Sequence, residues 1–305
     1  MADSKLKDTI MTTLPIIGTY TALITPMREG KVLYEEFKQL IESQIESGVS
    51  GIMPVGTTGE SPTVTFEEHI KLIEVAVEVA AGRVPVFGGT GANSTEEALH
   101  LTKEADKAGV TGMLVVAPYY NKPSQEGLFR HFSAIAEVTE KPIILYSIPS
   151  RCGIEIGVET VARLAERFPH VNTIKEAGGS CEKVAQLIER LGDKITVVSG
   201  DDSLTLPFMA LGAKGVISVA SNLMPAGVVQ MVQAALDNDF NTATALSQKY
   251  YRLFKDLFIE PNPVPVKYAL HRAGVISSPE VRLPLCPLSE DSEAVLINTL
   301  KTLGY

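Results

Sequence analysis

One lysine in the sequence stands apart from the other basic residues by its place. Lys175 directly follows the apolar run Val171-Asn172-Thr173-Ile174, so it falls at the C-terminal end of an expected strand. Beside apolar strand residues an ammonium is desolvated, which lowers its pKa and exposes a neutral amine. Such an amine condenses with a ketone to give a Schiff base. The competing assignment is a lysine paired with Glu176 or another acid, and position alone leaves both open. Other strand ends carry complementary groups. Gly56-Thr57-Thr58-Gly59-Glu60 offers two hydroxyls and free backbone N–H groups that suit a small carboxylate, or else forms a plain turn before a helix. Tyr146-Ser147-Ile148-Pro149-Ser150-Arg151 offers a phenol able to pass protons and a guanidinium able to grip a carboxylate bidentately. Tyr119 and Tyr120 sit side by side in Pro118-Tyr119-Tyr120-Asn121-Lys122-Pro123, a pattern equally fit for an interface or for packing. Further strand ends are Ser199-Gly200-Asp201-Asp202 and Ile217-Ser218-Val219-Ala220-Ser221-Asn222. Lys141, Lys194 and Lys214 precede strands instead, and read as solvated charges.

These residues need a scaffold that brings strand ends together. Short apolar segments begin near Ile17, Gly51, Val84, Thr111, Pro142, Val171, Ile195 and Gly215. They are continuous runs, such as Met113-Leu114-Val115-Val116-Ala117 and Ile143-Ile144-Leu145-Tyr146, as expected of parallel strands buried on both faces. Amphipathic helices lie between them. Ala98, Leu101, Ala105 and Ala108 share one face before Gly109, and Val184, Leu187, Ile188 and Leu191 share another before Gly192. Thr65-Phe66-Glu67-Glu68 and Ser94-Thr95-Glu96-Glu97 have capping-box form. Eight strand–helix units predict a (β/α)8 TIM barrel over 1–238, with function at the C-terminal strand ends. A doubly wound sheet is the alternative. Over 239–305 the strand signal ends, and helices are expected near Asn241–Ile259, Val266–Ala273 and Glu290–Leu303, after or around the stiff Glu260-Pro261-Asn262-Pro263-Val264-Pro265.

Composition narrows the partners. The chain has 305 residues, 45% of them hydrophobic and 21% charged, which excludes a disordered polymer. Thirty-six acidic against 27 basic residues give a net charge of −9, with no dense basic run, so nucleic acid is not an expected partner. Cys152, Cys181 and Cys286 form no CxxC, and the scattered histidines form no HExxH, so neither a disulfide framework nor a metal is expected. There is no Walker loop or GxSxG elbow, and Gly88-Gly89-Thr90-Gly91 lacks dinucleotide-fingerprint spacing. Residues 1–14, with Lys5 and Lys7, lack the apolar stretch of a signal peptide, and no run is long enough for a membrane helix. A cytoplasmic protein is the expectation.

Seven of these segments, in this order and spacing, resemble the dihydrodipicolinate synthase family: Gly56–Ser61, Pro118–Pro123, Tyr146–Arg151, Ile174-Lys175-Glu176-Ala177, Ser199–Asp202, Gly215–Val219 and Glu260–Pro263. The resemblance runs from about Ile17 to Leu303. It implies a metal-free, pyruvate-dependent class I aldolase on a (β/α)8 barrel with a C-terminal helical extension. Lys175 would form the Schiff base with pyruvate. Thr57 and Thr58 would hold the pyruvate carboxylate, with Thr58 also in a proton relay with Tyr146 and with Tyr120 from a neighbouring subunit. Arg151 would bind the carboxylate of aspartate semialdehyde, while Gly200 and Ile217 would line the pyruvate pocket. The resemblance further implies a homotetramer built as a dimer of dimers, and a lysine-binding inhibitory site at Ser61, His69, Asn93, Glu97 and Tyr119. Phe66 stands where lysine-sensitive members often carry His or Trp. Ser147 and Cys152 replace the family's usual Asn and Thr. The alternatives are another pyruvate-dependent aldolase of the N-acetylneuraminate lyase type and a non-catalytic keto-acid-binding barrel.

Overall fold

The computed structural model describes residues 16–305, so the reading of residues 1–14 lies outside it. Eight parallel strands hydrogen-bond in the order β4-β1-β10-β9-β8-β7-β6-β5. They are β1 (Gly18–Ala22), β4 (Gly51–Met53), β5 (Phe87–Gly89), β6 (Gly112–Val116), β7 (Ile143–Ser147), β8 (Val171–Glu176), β9 (Thr196–Ser199) and β10 (Gly215–Ser218). A parallel bridge joins Ile52 of β4 to Val86, just before β5. Each strand is followed by a helix, which is the (β/α)8 barrel arrangement expected from the apolar runs. All five residues of β7, for example, are buried, so alternation would have been the wrong signal to seek. A small antiparallel hairpin, β2 (Met27–Arg28) with β3 (Lys31–Val32), was not foreseen. Its turn residues Glu29 and Gly30 both take positive φ, 51° and 71°, which matches the twist of a two-residue hairpin loop.

The chain divides into two compact units, Phe87–Val216 with Ile16 and Ile17, and Gly18–Val86 with Ile217–Tyr305. In the first, helix Cys181–Leu191 starts at Ser180, whose side chain accepts from Lys183 N. It buries Val184, Leu187 and Leu191, each contributing about 1.5–3 kcal/mol of apolar transfer. Helix Thr95–Lys107 is capped by Ser94, which accepts from Glu97 N. In the second unit, helix Phe66–Ala80 begins with the full reciprocal box: Glu68 N donates to Thr65 Oγ1 at 3.2 Å and Thr65 N to Glu68 Oε2 at 2.9 Å. The same unit contains helices Phe240–Asp256, Val264–Arg272 and Glu290–Thr302, close to the expected ranges.

Candidate active site

Register decides which side chains meet at the strand ends of the first unit. Tyr146 on β7 pairs with Lys175 on β8, and Ser147 with Glu176. Adjacent strand residues face opposite sides, so Tyr146 and Lys175 share one face and Ser147 and Glu176 the other. Lys175 is 4% exposed, and its Nζ lies 4.1 Å from the centroid of the Tyr146 ring. Burial drops its pKa to about 7, the carboxylate of Asp202 opposing this and the Arg151 guanidinium adding to it. At neutral pH a large share of this amine is therefore unprotonated and nucleophilic. Gly200 has a steric reason to be glycine: a Cβ there would lie 2.7 Å from the Ala177 Cβ and 3.0 Å from the Lys175 Cε.

The alternative pairing of Lys175 with Glu176 does not occur. The Glu176 carboxylate faces away, where Lys183 Nζ lies 2.9 Å from Oε2 and Gly178 N donates to Oε1 at 2.6 Å. Lys183 also donates to Ser147 Oγ at 3.1 Å and to Glu155 Oε2 at 3.0 Å. One buried ammonium thus ties together the ends of β7 and β8 behind the two residues that face Lys175's reaction space. Burial pushes the Glu176 carboxyl up, and Lys183 opposes that. Sequence reasoning passed over Lys183. The available signal was a cation next to Val184 on the inward stripe of helix Cys181–Leu191.

Arg151 lies in the single-turn helix Pro149–Cys152 and is exposed. Tyr120 is 89% exposed, with φ at +74°. Tyr119 is drawn to Asn93, whose Nδ2 donates to its carbonyl at 3.2 Å. Burial and the nearby charge of Glu97 raise the Tyr119 phenol. Three of the five residues assigned to a lysine site, Asn93, Glu97 and Tyr119, are therefore grouped in this unit.

In the second unit, the loop Gly56-Thr57-Thr58-Gly59 is bracketed by Val55 and Glu60, both at positive φ, 55° and 58°. A β-branched residue in that region is an outlier, and such strain persists only where surroundings hold it. Lys267 holds the Glu60 end of the loop: its Nζ lies 2.7 Å from Glu60 Oε1, with both side chains at 0% exposure. Arg282 N donates to Glu60 Oε2 at 3.2 Å, and Thr63 to the same oxygen at 3.2 Å. Thr58 is buried and accepts from Asn262 Nδ2 at 2.9 Å, while Thr57 and Ser61 are partly open. His69 is buried in helix Phe66–Ala80, and Ile217 is fully buried in β10. Among the described residues no cluster of three or more His, Cys, Asp or Glu could hold a metal.

The sequence model of the dihydrodipicolinate synthetase family matches residues 15–303. The chain belongs to that family. It is 50% identical over 287 residues to the 4-hydroxy-tetrahydrodipicolinate synthase of Persephonella marina, covering 94% of this chain and 98% of the relative. The solved 4-hydroxy-tetrahydrodipicolinate synthase from Methylacidiphilum fumariolicum SolV aligns with a TM-score of 0.93 at 54% identity, over 94% of this chain and 95% of that one. A chloride-inhibited dihydrodipicolinate synthase from Acinetobacter baumannii, complexed with pyruvate, aligns with a TM-score of 0.92 at 44% identity, over 95% and 99% of the two chains. The shared name is that of a lyase of lysine and diaminopimelate biosynthesis.

Ser147 and Cys152, which the resemblance implies depart from the usual family pattern, have visible duties. Ser147 Oγ accepts from Ile156 N at 3.3 Å as well as from Lys183. Cys152 is buried and donates through Sγ to the Ala117 carbonyl at 3.2 Å, burial raising its thiol to about 11. Both side chains are committed to the scaffold under the strand ends. Among the described residues no helix is long and apolar enough to cross a membrane.

Proposed function

We propose that this chain performs the family's condensation of pyruvate with L-aspartate 4-semialdehyde through a Schiff base on Lys175. The observation that carries the reading is a buried amine, brought to about pH 7 by desolvation, whose neighbouring acid is engaged by another lysine. The neutral amine adds to the C2 carbonyl of pyruvate and loses water to an iminium. Loss of a C3 proton gives an enamine, whose C3 attacks the aldehyde carbon. The amino group of the semialdehyde then adds to C2 and expels Lys175, closing a six-membered ring and freeing the amine. Thr57 and Thr58 bind the pyruvate carboxylate, and Gly200 and Ile217 line its pocket. Thr58 and Tyr146 pass protons, joined by Tyr120 of a second subunit. Arg151 binds the carboxylate of the semialdehyde.

On this reading the enzyme needs no metal or added cofactor, works in the cytoplasm, and assembles as a homotetramer, a dimer of dimers. Residues 1–238 serve as the catalytic barrel and 239–305 as a helical extension. Lysine binds at Ser61, His69, Asn93, Glu97 and Tyr119 and inhibits, weakened by Phe66. Flat activity across millimolar lysine would refute that part. The reaction itself is tested by acceptor choice: with pyruvate, turnover of aspartate semialdehyde is expected, and turnover of N-acetylmannosamine instead would place the chain among the sugar-acid lyases.

A further inference from the structure

As oriented in the structure, the hydrogen bond between Asn262 and Thr58 runs from the amide to the hydroxyl. The amide Nδ2 of Asn262 donates to Thr58 Oγ1 at 2.9 Å, and an amide N–H can only donate. One lone pair of the threonine hydroxyl is thereby filled, and its proton must point elsewhere. Asn262 is 5% exposed and Thr58 is 3% exposed, so water does not compete for this bond. Asn262 lies between Pro261 and Pro263, whose rings restrict the backbone that carries it. The same stretch grips the loop again through the buried Lys267–Glu60 pair. The strained backbone around Thr58 is thus held from two sides by residues of the helical extension.

We propose that Asn262 is a positioning residue that sets the direction of proton transfer through Thr58. A hydroxyl in a relay gives up its own proton while taking another on a lone pair. With two lone pairs and one rotatable proton, it can also turn the wrong way. A buried donor on one side removes that orientation, because Thr58 can then donate only away from Asn262. This also gives the C-terminal extension a part in the chemistry. The inference rests on reading Thr58 as a relay member.

The test compares Asn262→Asp, Asn262→Ala and Thr58→Val, with kcat counted per site titrated by borohydride-trapped pyruvate, so that unfolded chain does not enter. The carboxylate introduced by Asn262→Asp accepts the Thr58 proton and reverses the hydroxyl. The alanine only releases it. A relay hydroxyl supplies part of the about 10²–10⁴-fold effect of general acid–base catalysis, so kcat should fall about 100-fold for Asn262→Asp and about 10-fold for Asn262→Ala. KM for pyruvate should change less than about threefold, and the solvent isotope effect on kcat should rise in both. A purely structural Asn262 would lower Tm in both variants and leave kcat per titrated site and the isotope effect unchanged, which overturns the inference. Thr58→Val impaired with both Asn262 variants at wild-type kcat overturns it alone. Unimpaired Thr58→Val overturns the relay reading and the inference together.

Discussion

Replacing Lys175 by methionine should end turnover and, at neutral pH, stabilise the fold. Methionine fills the same slender volume against the Tyr146 ring without a charge to desolvate. Burial lowers the Lys175 pKa from 10.5 to about 7. At about 1.4 kcal/mol for each tenfold change in acidity, charging this amine is about 5 kcal/mol less favourable in the folded chain than in the unfolded one. At pH 7 the unfolded chain is fully protonated there and the folded chain about half, which leaves about 4 kcal/mol opposing folding as a ceiling. Between pH 7 and 10.5 the unfolded state holds more of this proton, so wild-type stability rises with pH through that window relative to the variant. The gain from Lys175→Met should therefore be largest at and below pH 7 and vanish near pH 10.5. Parallel urea unfolding of both proteins across this range measures it, with other groups cancelling in the difference. Equal stability at pH 7, or a difference that does not shrink with pH, would refute the argument that Lys175 is a strained, desolvated amine.

The same pKa sets the acid limb of activity: the rate of Schiff-base formation should fall about tenfold per pH unit below about 7, where the ammonium prevails, and level off above, as stopped-flow with pyruvate will show. Gly200→Ala places a methyl 3.0 Å from the Lys175 Cε, and kcat/KM for pyruvate should fall about 10–100-fold in steady-state assays. Lys183→Met leaves the Glu176 carboxylate buried without its cation and should cost about 3–5 kcal/mol in urea unfolding. Adding Glu176→Gln should recover much of that loss, and no recovery would mean the pair is not the reason.

The barrel was legible because its strands are buried on both faces and announce themselves as continuous apolar runs, while Thr65, Ser94 and Gly192 mark helix ends through local chemistry alone. The hairpin Met27–Val32 was not, since two-residue strands carry no periodicity and its turn signal is only Glu29-Gly30. The strand-end residues were legible by position and the family resemblance. Whether Lys175 pairs with Glu176 was not, because neighbours in sequence point to opposite faces only once the strand and its register are known. Lys183, Asn262 and Lys267 escaped for a related reason. Lys183 meets Glu176 and Glu155 on other elements, while Asn262 and Lys267 reach Thr58 and Glu60 across 204 and 207 positions, pairings that only the folded chain defines.

The claim on which everything else depends is that Lys175 attacks pyruvate. Borohydride reduction in the presence of pyruvate, followed by peptide mass mapping, tests it directly. A reduced pyruvyl adduct is expected on the peptide that carries Lys175, absent in Lys175→Met. An adduct on Lys183 or Lys267, or none at all with folded protein and saturating pyruvate, would contradict it.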